Sequence, residues 1–308
     1  MSDRRAADCR VGCGVGGGWG DLLRETEMSA VHIVAPFYSV AGFFVGLLIG
    51  LTGVGGGSLM TPILILLFGI HPASAVGTDL VYAAVTKTAG TLVHGYNRSV
   101  DWRVVARLAA GSLPATALTI FTLSYFELNS PLARLLITAT LTVALVITAL
   151  SLIFRKEIVA RHATRVGGLS QRRIAALTVA TGAVLGGLVS ISSVGAGAIG
   201  VMALVLLYPN LPMARIVGSD IAHAVPLTLA AGVGHWFLGS IDFGILAALL
   251  LGSVPGILIG SYATGRVPET ALRLILAGTL IIVATKLSLD LYSHPSGLVT
   301  ATTKRAHP

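Results

Sequence analysis

The sequence predicts an all-α, polytopic membrane bundle made of two homologous repeats that contain broken helices, and three observations carry that reading. The 308-residue chain is 54% hydrophobic and only 11% charged, against about 25% charged for a soluble domain, with a mean hydropathy of +0.86. Long apolar windows recur along its length. An apolar stretch interrupted by Gly53-Val54-Gly55-Gly56-Gly57-Ser58 also returns as Ser193-Val194-Gly195-Ala196-Gly197-Ala198, 140 positions later.

Behind each copy the matched residues follow in the same order: Pro72 and Pro212, Gly77-Thr78-Asp79 and Gly218-Ser219-Asp220, His94 and His235, Asp101 and Asp242, then Gly111-Ser112 with Pro114 and Gly252-Ser253 with Pro255. The offset is 140 as far as the prolines and 141 from Gly77 onward, so the second copy holds one extra residue. The chain divides into a flexible N-terminal tail (1–29), repeat one (30–154), a basic linker (155–173), repeat two (174–290) and a C-terminal tail (291–308).

Windows 31–51, 104–123, 132–154, 174–192, 243–262 and 271–289 are each long enough to cross a hydrocarbon core of about 30 Å at a rise of about 1.5 Å per residue. Windows 75–96 and 214–237 are less pure, because they hold Asp79, Lys87, His94, Asp220, His223 and His235. A polar residue so placed should face a partner or an aqueous cavity. The runs are too long and too uniformly apolar for the alternation of a porin strand, and they lack the polar face of a soluble amphipathic helix.

The segments after the glycine clusters, 58–69 and 197–208, are too short to cross alone, at about 18 Å of helix each. Either each is a re-entrant half-helix, giving eight spans and parallel repeats, or each completes a broken crossing, giving ten spans and inverted repeats. Loop charge favours inversion. Linker 155–173 carries six basic residues and one acid, Glu157, which marks the cytoplasmic side. Loop 124–131 has Glu127 and no base, and loop 95–103 is basic again, while its counterpart 238–243 has Asp242 and no base. Ten inverted spans place both termini outside, a placement that Arg4, Arg5, Arg10 and Arg24 weakly oppose.

The formal charge of +8 does not indicate nucleic-acid binding, because the bases collect between spans, where anionic lipid headgroups are a sufficient partner. Cys9 and Cys13 form no CxxC pair and have no nearby histidine pair, so no metal or other cofactor is expected. Residues 1–27 lack the apolar core of a signal peptide.

Three adjacent glycines, Gly55, Gly56 and Gly57, followed by Ser58 and an apolar run, free the N–H groups of a helix start, which favour an anion. The second copy offers Gly195, Gly197 and the hydroxyls of Ser190, Ser192 and Ser193. By contrast, Gly42 with Gly46 and Gly182 with Gly186 have the spacing of helix-packing residues. Lys87 is open to three roles: counter-charge to an anionic substrate, member of a structural ion pair, or a side chain reaching the interface. Its counterpart is Thr228. Asp79 and Asp220 fit either helix capping or proton coupling, and His94 and His235 fit hydrogen bonds at a gate or interface. No enzymatic constellation stands up. Ser192 and Ser193 lack His and acid partners, and 53–57 lacks the Gly-Lys-Ser/Thr ending of a phosphate loop.

The run Leu48-Ile49-Gly50-Leu51-Thr52-Gly53-Val54-Gly55-Gly56-Gly57-Ser58-Leu59-Met60-Thr61-Pro62, followed by His71-Pro72-Ala73-Ser74-Ala75-Val76-Gly77-Thr78-Asp79, resembles the first signature of the sulfite exporter TauE/SafE family. Val194-Gly195-Ala196-Gly197 and Ile216-Val217-Gly218-Ser219-Asp220-Ile221-Ala222-His223 resemble its second. The likeness covers roughly 30–290. It implies a bacterial inner-membrane permease for sulfite, sulfoacetate or other organosulfonates, coupled to an ion gradient, with the two glycine segments lining the path and Asp79 and Asp220 close behind. The chain departs from symmetry at Ser193 and Ala196, which are glycine in repeat one. Two other classes are weighed: a carrier of a small carboxylate or cation on the same scaffold, and a non-transporting assembly factor or sensor. A cation carrier should bring several acids to the midplane, and only two are in evidence.

Overall fold

The structure is a computed structural model that describes residues 36–49, 51, 57–96, 98–125, 128, 130–155, 157, 170–263 and 269–293. The described elements are helices: α1 (Pro36–Ile49), then α2 (Gly57–Leu66), α3 (Pro72–Tyr96), α4 (Trp102–Ser124), α5 (Pro131–Ile153), α6 (Gln171–Ser192), α7 (Ala198–Leu207), α8 (Met213–Phe237), α9 (Phe243–Ala263) and α10 (Glu269–Ser293). Six of them, α4, α5, α6, α8, α9 and α10, are long and apolar enough to cross a membrane. The protein is an all-α polytopic membrane bundle. Helix α3 has 25 residues but stands outside the six, because Asp79, Lys87 and His94 dilute its apolar content.

Local chemistry sets the helix boundaries. Asp101 caps α4, its Oδ1 accepting from the backbone N–H groups of Arg103 and Val104 at 3.0 and 3.3 Å. Its counterpart Asp242 accepts from Ile245 N at 2.9 Å at the start of α9. Ser130 caps α5 with Pro131 following, where the missing proline N–H costs no helical bond. Ser170 caps α6, so Arg172 and Arg173, read with the linker, lie on the first turn of a helix.

Small residues decide how the helices meet. Gly42 and Gly46 of α1 press against the backbone carbonyls of Leu249 and Ser253 in α9, and Gly182 and Gly186 of α6 press against those of Leu108 and Ser112 in α4. A Cβ at any of the four would collide with a carbonyl, so the packing role expected of both glycine pairs holds. The two sets match residue for residue at the offsets found in the sequence. Within each set the contacts advance together, so α1 runs parallel to α9 and α4 parallel to α6. At the centre the sense is opposite: Gly90 of α3 faces Ile221 of α8, while Gly232 of α8 faces Val81 of α3. Helices α3 and α8 therefore run antiparallel. Helices α5 and α10 form another contacting pair.

The largest buried cluster joins Val45 of α1, Met60 and Leu64 of α2, Leu141 and Leu145 of α5, Leu249 of α9 and Leu280 of α10. A second joins Val76 and Leu80 of α3 to Leu185 and Val189 of α6 and Leu227 of α8. Leu118, Phe121, Leu251, Leu258 and Ile282 are exposed, an apolar periphery suited to lipid contact. Asp79 and Lys87 of α3 and Asp220, His223 and His235 of α8 are buried inside.

Candidate functional site

The break expected at the second glycine segment is present. Helix α6 ends at Ser192, Ser193 takes a left-handed conformation at φ 57, and Gly195 and Gly197 follow at φ +121 and +134. Backbone of this kind is open to glycine and strained for other residues. The new helix α7 starts at Ala198 with no side chain capping it, so its first N–H groups face the break with the positive end of the helix dipole. In the first copy α2 begins at Gly57. Gly55 and Gly56, and the side chains of Ser58 and His94, lie outside the described residues.

Asp79 and Asp220 are fully buried inside α3 and α8. Neither caps its own helix: α8 is preceded by Pro212, and Asp79 lies seven residues past the first residue of α3. The capping alternative is thereby removed, because a cap must precede the first turn. Each carboxylate instead packs against the short half-helix of its own repeat. Thr61 of α2 donates its hydroxyl to Asp79 Oδ2. Asp220 Oδ1 lies against Gly200, the third residue of α7, so closely that a Cβ there would overlap it.

Lys87 lies between them. Its ammonium donates to the carbonyl oxygen of Ala196, inside the α6–α7 break, at 3.1 Å. It is also within electrostatic reach of Asp220 and, more weakly, of Asp79. Each charged residue at the centre of a membrane helix costs about 3 kcal/mol on insertion scales. Three together approach the net stability of a whole domain, about 5–15 kcal/mol. Their mutual proximity offsets part of this cost.

The serines divide. Ser192 turns back on the backbone, its hydroxyl donating to Leu188 O at 2.8 Å and accepting from Val194 N at 3.3 Å. Ser190 donates to Gly186 O. Ser193 lies beside Asp79 without closing a hydrogen bond, so its buried Oγ has no partner. Among the described residues, the other buried side-chain atoms without partners are Asp79 Oδ1, Tyr82 OH, Asp220 Oδ1, His223 Nδ1 and, on α5, Thr148 Oγ1. Five of the six therefore belong to α3, α8 or the break. Such atoms are rare in folded proteins, because each costs about 1–3 kcal/mol when left unpaired.

His235 holds α8 to the segment before the break. Its Nε2 is 2.9 Å from Ser190 O and its Nδ1 2.8 Å from Ser240 Oγ. Because a carbonyl only accepts, Nε2 carries a proton. The contacts of His223 and Tyr82 are not apparent from the sequence. His223 Nε2 meets Ser112 Oγ at 2.9 Å, and at the matched positions Tyr82 lies beside Ser253. The offset of 141 linking His223 to Tyr82 and Ser253 to Ser112 was the available signal, hidden because histidine and tyrosine do not look alike.

Residues 38–287 match the family described as sulfite exporter TauE/SafE. The chain belongs to this family. It is 39% identical over 249 residues to the probable membrane transporter protein YjnA of Bacillus subtilis (strain 168), covering 80% of this chain and 96% of the relative. It is 27% identical over 235 residues to the probable membrane transporter protein YdhB of the same organism, covering 75% and 91%. No solved structure matches it. This TauE/SafE-family protein is thus a polytopic helical protein of small-molecule membrane transport.

Proposed function

We propose that the protein is a secondary carrier of a small oxyanion, sulfite or an organosulfonate such as sulfoacetate, in the bacterial inner membrane, coupled to protons through Asp79 and Asp220. It is read as a carrier and not as an enzyme. One observation carries the proposal: buried, unpartnered polar atoms of Asp79, Ser193, Asp220 and His223 converge on an ammonium group and an uncapped helix start. Of these, Ser193 Oγ and His223 Nδ1 can donate, and a carboxyl donates only when protonated; such donors around a cation at a helix N-terminus are suited to an anion. The name of the family supports sulfite or a related anion.

The repeats are read as inverted, with ten crossings in which α2 and α7 are short, broken segments. Two features support this. Ser219 of repeat two accepts from Asp101 N at 2.8 Å, while its counterpart Thr78 of repeat one accepts from Asp242 N at 3.1 Å. Such reciprocal contacts are those of a two-fold relation. The antiparallel α3–α8 pair then sets that axis across the helices, in the membrane plane, and movement of one repeat against the other would expose the site to each side in turn.

The decisive experiment is uptake into vesicles of labelled sulfite, sulfoacetate, thiosulfate and a small carboxylate under an imposed pH gradient. Accumulation of sulfite or a sulfonate that collapses with the gradient is expected. Accumulation of the carboxylate alone transfers the reading to that substrate class, and uptake of none of the four refutes it.

A further inference from the structure

We infer that the Asp220 carboxylate holds the place that the substrate anion takes, so that a proton on Asp220 is what frees Lys87 and the start of α7 for the anion. The inference rests on the oxyanion reading and deepens it, because it separates two aspartates that the duplication makes look equivalent.

The half-helices break the symmetry. Asp79 is held by Thr61, whereas the position matching Thr61 is Val201, which has no donor to offer. Asp220 instead lies on the first turn of α7, against Gly200, where the first repeat has Met60. Its Oδ1, like that of Asp79, is without a partner, but Asp79 has the Thr61 hydroxyl on its other oxygen. The N–H of Gly200 donates to Gly195 O at 3.3 Å, so the Asp220 carboxylate meets the start of α7 through the helix dipole, which favours an anion there. It is also the nearer of the two acids to Lys87 in electrostatic effect, and the ammonium is already fixed to the carbonyl of Ala196, two residues before α7.

The groups facing Asp220 leave few other players. Helix α3 brings Lys87 and Asp79. Helix α8 brings His223, whose Nε2 is engaged by Ser112 of α4. Helix α7 has no ionisable side chain, and the bases of α6, Arg172 and Arg173, lie on its first turn, at the far end from the break. With Asp220 ionised, Lys87 and the dipole of α7 are both neutralised from within, and a second anion meets repulsion. Once a proton from solution occupies the carboxylate, the dipole of α7 faces the site uncompensated and Lys87 keeps only its weaker interaction with Asp79. One proton and one monovalent anion then enter together, and the net charge of the site does not change.

The test uses the purified protein in lipid and an alkanesulfonate, whose own charge is constant across the working pH range. Proton uptake on binding is measured with a pH indicator in weak buffer, and affinity is measured at several pH values. Wild-type protein is expected to take up about one proton per sulfonate, with affinity falling about tenfold per pH unit on the alkaline side. Asp220→Asn is expected to take up none and to bind with an affinity independent of pH. Binding by wild-type protein without proton uptake overturns the inference even if Asp220→Asn does not fold. Unchanged proton uptake by a folded Asp220→Asn also overturns it. Failure of wild-type protein to bind either sulfite or any sulfonate is a different result, which overturns the oxyanion reading and the inference with it.

Discussion

The Lys87 ammonium donates its hydrogen bond to the carbonyl of Ala196, 109 residues away in sequence, at 3.1 Å. This bond ties α3 to the unwound backbone between α6 and α7. It places the charge of α3 at the helix break, so a change at either end should be felt at the other.

Removal of the charge is the first consequence. Lys87→Met leaves Ala196 O without its donor, at a cost of about 1–3 kcal/mol, and takes the cation from the site. Uptake is expected to fall at least about tenfold, the effect of losing about 1.4 kcal/mol of binding, and divalent anions should suffer more than monovalent ones. Parallel measurements of sulfite and alkanesulfonate uptake check this, and an equal loss for both would separate Lys87 from direct charge contact.

The break itself depends on backbone that only glycine adopts freely. Gly197 has φ +134, and Gly197→Ala is expected to cost about 1–3 kcal/mol in strain or to straighten the junction of α6 and α7. Uptake should be lost while the protein remains in the membrane. Gly187→Ala is the control, since a Cβ there meets only Thr119 Oγ1 at 3.7 Å.

Gly200 and Asp220 should be coupled. Gly200→Ala drives a methyl group into the carboxylate and is expected to lower the melting temperature by several degrees, in line with about 1–3 kcal/mol of overpacking. Adding Asp220→Ala should restore most of that loss without restoring transport. A double-mutant cycle on thermal stability measures the coupling, and additive losses would show that the contact is relaxed elsewhere.

Sidedness follows from the inverted reading. With Cys9 and Cys13 replaced by serine, Arg98→Cys is expected to react with a membrane-impermeant thiol reagent only from the cytoplasmic side, and Phe237→Cys only from the outer side. Both positions are exposed, Phe237 as the last residue of α8 and Arg98 two residues beyond the end of α3. Labelling of the two from one side would restore parallel repeats.

Much of this was legible along the chain because a bilayer imposes a one-dimensional rule. The window 132–154 became α5 (Pro131–Ile153) and 174–192 became α6 (Gln171–Ser192) within a few residues, since length and apolar content suffice to mark a span. The break after Ser192 was readable from Gly195 and Gly197, whose freedom from a Cβ is a local property. The role of Ser192 was not readable, because whether a hydroxyl turns to its own backbone or into a cavity depends on the rotamer that packing allows. Nor did sequence distinguish Asp79 from Asp220. The two aspartates recur in matched motifs, and their difference lies with Thr61 and Gly200, residues eighteen and twenty positions upstream.

The sequence by itself determined that the chain is a helical membrane protein interrupted at 193–197, because hydrophobic run length and glycine content act locally. Only the tertiary structure decided that Lys87 reaches Ala196, that α3 and α8 run antiparallel, and that one aspartate accepts from Thr61 while the other packs against Gly200 at a helix start. Those facts depend on which helix faces which, and small residues such as Gly42, Gly182 and Gly200 settle that through close contacts between segments far apart in the chain.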